Sequence, residues 1–279
     1  MRKIEEKIFK GLMIAASGII VAILFYILFV IISRGLSSMS WEMLTHIPSG
    51  GFYLGKEGGI LNAILGSLFL ILGSVLLSMV ISIPVVMYIN FILRKNSRFA
   101  NTARFAFDIL FGIPSIVYGA FGFMLMIFLG INASLLGGII TVALLIIPIM
   151  MRSIDEVAAY VPRDLIEATQ SLGATKYETI KVIIRQLIPG ITTAILLSVG
   201  RGIGDAATVL FTAGYTDSIP TSLLQPAATL PLAIFFQLSS PIEEVQNRAY
   251  AAALILTVII LILSFSARYF SSKLSKSKL

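Results

Sequence analysis

"LNAILGSLFLILGSVLLSMVISIPVVMYIN", Leu61 to Asn90, contains no charged side chain. A hydrocarbon core about 30 Å thick is crossed by roughly 20 helical residues. The segment therefore spans a bilayer and is too long to stand in it upright, so it must tilt, bend near Pro84 or extend past the membrane. The rest of the chain agrees. Of its 279 residues 57% are hydrophobic and only 13% charged, with a mean hydropathy of +0.97. Ordinary globular chains carry about 25% charged residues, and a single water-soluble core has no room for so much apolar surface.

Five further apolar runs lie at about 11–32, 105–129, 135–151, 189–211 and 249–270, which makes six expected spans in one all-α membrane domain over residues 1–279. The first follows the charged lead-in "MRKIEEKIFK". Its apolar run exceeds a signal-peptide core of about 7–15 residues and no small-x-small cleavage site follows, so it reads as a retained helix.

Charge sets the orientation. With the first residues inside, the alternation of spans puts every lysine and arginine on the inner side except Arg34, Lys56, Arg201 and Arg248. The positive-inside rule then places both termini in the cytoplasm. The net charge of +7 is accounted for by this topology, and no nucleic-acid partner is needed to explain it.

One inner segment differs from a plain connector. Residues 152–188, "RSIDEVAAYVPRDLIEATQSLGATKYETIKVIIRQLI", contain three places where a helix start is spelled out: Ser153 with Glu156, Asp164 with Glu167, and Thr175 with Glu178. Gly173 stands where the middle helix needs a left-handed residue at its end. Tyr177, Ile180, Ile184 and Leu187 share one face of the last helix, as expected of a segment lying along the membrane surface before it enters the fifth span.

"EATQSLGATKYETI" resembles the EAA loop of ABC importer permeases: Glu167, Ala168 and Thr169, then Gly173, then an apolar helix. Thr169 departs from the family's second alanine, and Arg185-Gln186 stands near a position where Leu-Pro is usual. "GGILNAILGSLFLIL" (58–72), "GIPSIVYGAFG" (112–122), "GRGIGDAATVLFTAG" (200–214) and "TLPLAIFFQLSSPIEEVQNRAYAAALIL" (229–256) narrow the likeness to phosphate importer permeases, the last two being closer to the PstA type than to the PstC type. The resemblance covers most of residues 58–270. It implies a type I ABC importer fold, a coupling helix before Gly173 that docks on a separate ATPase, and a complex of four kinds of part. Those parts are this chain, a homologous PstC-type permease, two ATPase subunits that bind ATP and magnesium, and an external phosphate-binding protein. This chain itself would bind no cofactor.

Within the fifth run, Arg201 lies about 18 Å beyond Pro189, close to mid-membrane. A charge at that depth costs at least about 2.5–3.5 kcal/mol, so it faces a cavity or a partner rather than lipid. Asp205 is four residues on, and the family's usual residue there is glutamate. Two readings stand: a structural ion pair, or an arginine fork that meets a tetrahedral oxyanion while Asp205 holds and releases it. Gly200, Gly202 and Gly204 thin the helix around the pair.

Ser115 and Tyr118 follow the helix-breaking Pro114. Their hydroxyls either satisfy freed backbone and interface groups or line the pathway. Residues 212–248 form an outer segment with Pro220, Pro226, Pro231 and Pro241, in which "LPLAIFF" is too short to span and reads as a re-entrant or interfacial lid. By resemblance it would face the binding protein.

Several chemistries are excluded. There is no G-x-x-x-x-G-K-[ST] loop for ATP hydrolysis, and "GRGIGD" lacks the preceding strand of a nucleotide loop. With zero cysteines and the lone His46, no metal cluster or catalytic triad can be assembled. The expectation is a non-enzymatic permease subunit of an ATP-driven importer of phosphate in the cytoplasmic membrane, working by alternating access. Molybdate or sulfate as the oxyanion, an ion-gradient-driven carrier or channel, and a membrane assembly or signalling subunit are the rivals.

Overall fold

The structure, a computed structural model, describes residues 2–49, 57–93 and 97–276; Lys56, Arg94, Lys95 and Lys278, counted above, lie outside these. In chain order the helices are α1 (Arg2–Ser38), α2 (Trp41–Thr45), α3 (Leu61–Met87), α4 (Arg98–Phe111), α5 (Ser115–Leu129), α6 (Leu135–Ala158), α7 (Arg163–Ser171), α8 (Lys176–Ile203), α9 (Ala206–Val209), α10 (Leu230–Leu238) and α11 (Glu243–Lys276). A two-residue antiparallel ladder, Pro48–Ser49 with Glu57–Gly58, precedes α3.

Among the described residues five helices are long and apolar enough to span a membrane, or six when α4 and α5 are taken as one broken span. The expectation of six therefore stands with a correction at the third. The run 105–129 is not one helix: α4 and α5 meet at 102°. Gly112 ends α4, and Pro114 takes the N-cap position of α5. Proline there has no N–H to give, and its ring disfavours α geometry in the residue before it.

The long second run does what its length required. α3 passes through Pro84 and continues as a π-helical turn, Tyr88–Ile92, closed by the Leu93 N–H on the Tyr88 carbonyl at 3.1 Å. The wide turn absorbs the backbone disturbance around the proline instead of a sharp kink.

α3 and α6 form the centre of the bundle, with Val142, Ile146, Met150 and Ile154 of α6 fully buried. Small residues let the two backbones approach. Ser74 Oγ donates to Leu70 O at 2.8 Å and lies 3.1 Å from Ile139 O across the interface, and Ser78 Oγ stands in the same relation to Ser74 O and Ala143 O. α1 stands apart, exposed along nearly its whole length, and leans on α11 where the Arg34 guanidinium lies 5.2 Å above the Tyr250 ring.

The fifth run also needs correcting. α8 is unbroken from Lys176 through Pro189 to Ile203, so the surface helix and the span are one rod. Its buried stripe is Thr179, Ile183, Leu187, Ile191, Ala194, Ser198 and Gly202, and Tyr177 points outward, one residue off the face read from the sequence.

The segment between α9 and α11 folds back over the bundle. The Leu135 and Leu136 N–H groups at the start of α6 donate to Gln225 O and Leu223 O at 2.8 and 2.7 Å, so the loop satisfies donors that a helix start leaves open. α10 buries Leu230, Pro231, Leu232 and Ala233, and the Leu230 N–H donates to Ser67 Oγ at 2.8 Å. Of the two readings of "LPLAIFF", an inserted segment fits these contacts and a lid resting on the surface does not. Burial, with the Asp217 charge nearby, pushes the Tyr215 phenol up to about 12, and its ring packs edge-on against Phe236.

Candidate functional site

Arg201 occupies the last turn of α8 and Gly204 ends it. Asp205 is therefore not one turn further on the same helix, as the spacing suggested. It is the N-cap of α9, where Oδ1 accepts the Thr208 N–H at 2.9 Å. Its other oxygen, Oδ2, lies 3.6 Å from Arg201 Nη2, with side-chain exposures of 52% for Arg201 and 4% for Asp205. That distance makes an ion pair but not a direct hydrogen bond, so most of the guanidinium fork is uncommitted.

The fork overhangs an open cavity of about 330 Å³ lined by Ser115, Gly200, Arg201, Gly204, Asp205 and Ala207, with Ala206 beside them. The three glycines divide their work. A Cβ on Gly202 would lie 2.8 Å from Ile71 Cδ1, so its smallness serves packing against α3, whereas Gly200 has open space around it. The far wall is the first turn of α5, whose N-cap Pro114 offers no side-chain bond. Backbone N–H groups there carry the positive end of a 15-residue helix.

α5 is fixed to α9 at that wall. Thr208 Oγ1 donates to Ser115 O at 3.4 Å, and a Cβ on Gly119 would lie 2.7 Å from Ala207 O. Gly119 was passed over in the sequence, although a glycine one turn after Ser115 in an apolar helix is a mark of close approach. Tyr118 does not line the cavity. Its hydroxyl donates to Leu110 O at 2.7 Å, which ties the start of α5 back to the end of α4 across the bend.

At the α7 end of the molecule one of the three expected caps forms. Thr175 and Glu178 make a full capping box at the start of α8, and Gly173 adopts a left-handed φ of 79°. Ser153 lies inside α6, which runs on to Ala158, and Asp164 sits in the first turn of α7 behind an N-cap of Pro162. Glu167 and Ala168 are exposed, so the face of α7 that carries them is open. Thr169 turns the other way: its hydroxyl donates to Ile166 O at 2.8 Å and lies 3.3 Å from Thr179 Oγ1 on α8. The departure from alanine thus adds a polar contact between α7 and α8.

A second polar group near this end was read only as positive charge. Arg104 of α4 donates from Nε to Asp155 Oδ2 at 2.8 Å, and from Nη2 to Asp155 Oδ1 at 3.2 Å and Asn90 Oδ1 at 3.0 Å. Asn90 Nδ2 donates to Asp155 Oδ1 at 2.6 Å. Arg152 pairs with Asp108 beside them and reaches Glu156 at 3.5 Å. Among the described residues no group of acidic, histidine or cysteine side chains is arranged to hold a metal ion.

Residues 82–276 match the family described as the binding-protein-dependent transport system inner membrane component. The chain belongs to this family. It is a multi-pass membrane protein of the inner-membrane transporter class, and its relatives are transport permeases. It is 33% identical over 270 residues to the phosphate transport system permease protein PstA of Haemophilus influenzae, covering 96% of this chain and 94% of that one. It is 36% identical over 251 residues to PstA of Yersinia pestis, covering 90% and 84%. The PstA-type resemblance of the sequence is thereby borne out. Among solved structures, the inward-facing methionine ABC transporter MetNI aligns with a TM-score of 0.62 at 18% identity, over 77% of this chain and 95% of that one. The permease fold is that of a type I ABC importer.

Proposed function

We propose that this permease moves inorganic phosphate across the cytoplasmic membrane by alternating access, and that Arg201 meets the anion in the cavity it shares with Ser115. The observation that carries this reading is the half-exposed Arg201 fork, incompletely engaged by Asp205, facing the uncapped N-terminus of α5. A planar donor fork and a helix N-terminus both favour an oxyanion, and they converge without a competing exposed carboxylate. Asp205 holds the fork while the site is empty and yields it when anion binds. Ser115 adds a hydroxyl to the wall; Tyr118 serves the bend instead.

The family, together with relatives named for phosphate, supports the rest of the machine: a PstC-type permease beside this chain, two ATPase subunits carrying ATP and magnesium, and an extracytoplasmic phosphate-binding protein. α7, with Glu167, Ala168 and Thr169 before Gly173, is the part that meets an ATPase. Both termini lie in the cytoplasm. The test is labelled phosphate uptake by the purified complex in proteoliposomes with ATP inside and binding protein outside. Uptake that needs ATP and is outcompeted by phosphate, but not by sulfate or molybdate, supports the reading. Competition by another oxyanion reassigns the substrate, and ATP-independent uptake rejects the class.

A further inference from the structure

Two routes lead from α7 to the cavity. One is direct: beyond Gly173, α8 runs to Arg201 in its last turn. The other begins at Asp155, one turn before the end of α6, and crosses to α4 through Arg104. α4 turns at 102° into α5, whose first residue is Ser115. Every donor the Asp155 carboxylate receives comes from another element: two nitrogens of Arg104 on α4, and Asn90 in the π-helical turn.

Apart from Phe107, which packs against the core, and the Tyr118 hydroxyl on Leu110 O, α4 has few contacts to hold it. Among its residues only Ala100 is buried, while Phe99, Phe105, Ile109 and Phe111 are exposed. Its place against α6 is set by Arg104 on Asp155 and Arg152 on Asp108 more than by a shared core. A guanidinium that engages both oxygens of one carboxylate fixes orientation as well as distance. An apolar contact permits sliding.

We infer that Arg104, Asp155 and Asn90 form a positioning tie that makes α4, and through the bend the Ser115 wall of the cavity, follow the α7 end of α6. Both walls then answer to one input: Arg201 through α8, Ser115 through the tie. Arg104 and Asp155 touch no substrate and act through α5. The inference rests on the reading of α7 as the part an ATPase moves.

The experiment uses the whole complex in proteoliposomes and measures phosphate uptake and ATP hydrolysis together. Arg104→Gln and Asp155→Asn lower the phosphate moved per ATP by about tenfold, the upper range for residues that carry coupling, while hydrolysis continues. Arg104→Lys keeps the charge without the fork and falls between; it decides the matter should Arg104→Gln fail to assemble. The exchange Arg104→Asp with Asp155→Arg restores most of the loss. Unchanged uptake per ATP in the assembled single variants overturns the tie. So does a parallel fall of uptake and hydrolysis that the exchange does not repair, because that is the mark of a folding role alone. Ala168→Arg on the open face of α7 separates the two readings. If that complex keeps its ATPase and its uptake, the α7 reading fails and takes the inference with it. If it loses them while the Arg104 variants stay coupled, only the tie fails.

Discussion

Arg201 and Asp205 show what four-residue spacing reveals and what it hides. Two charges in an apolar run were bound to find each other, and they do at 3.6 Å. That the helix ends between them was not legible, because Gly204 in a span reads equally well as close packing or as a stop. The ending matters: it frees the Asp205 carboxylate to cap α9 and leaves the Arg201 fork over the cavity. Arg201→Gln is expected to abolish phosphate uptake while the complex still co-purifies, since a half-exposed side chain contributes little to folding. Normal uptake by that variant removes the anion role. Tyr118 divides from Ser115 in the same assay. Tyr118→Phe loses one hydrogen bond to Leu110 O, worth about 1 kcal/mol, and lowers thermal stability with the apparent phosphate affinity unchanged. A changed affinity in Tyr118→Phe puts the hydroxyl back in the pathway.

Helices were legible wherever apolar periodicity and a cap agreed. Thr175 with Glu178 caps α8 because α7 has already ended at Ser171 and Gly173 has turned the chain. Ser153 with Glu156 has the same spacing and fails. Met150, Met151, Ile154 and Ala158 stay buried at helical intervals, so the fourth span runs through the signal. Packing outranks a cap worth about 1 kcal/mol. Close approach was only half visible. The glycines could be seen, but not the element each admits. Gly66 is the sharpest instance: a Cβ there would lie 2.0 Å from the backbone oxygen of Ala228, in the segment that leads into α10. Gly66→Ala is expected to cost about 1–3 kcal/mol by overpacking, read as a lower melting temperature of the complex. A variant as stable as the parent means the segment is not seated on α3.

At the scale of the whole molecule, the spans were readable from the lengths of the apolar runs. The partnership of Arg104 with Asp155 was not, because no local pattern relates residues 51 positions apart. Orientation has a simple test, since the chain has no cysteine of its own. A cysteine at Gln170, exposed on α7, is expected to react with a membrane-impermeant thiol reagent only in inverted vesicles, and one at Ser222 only in intact cells. The opposite pattern reverses the topology. The unbroken α8 adds a matter of scale. From Lys176 to Arg201 it measures about 38 Å at 1.5 Å per residue. A rod of that length swung by about 6° at its foot carries its tip through an arc of about 4 Å, longer than a hydrogen bond. A displacement small enough to pass for thermal breathing at the base is, at the arginine, the difference between holding an anion and letting it go.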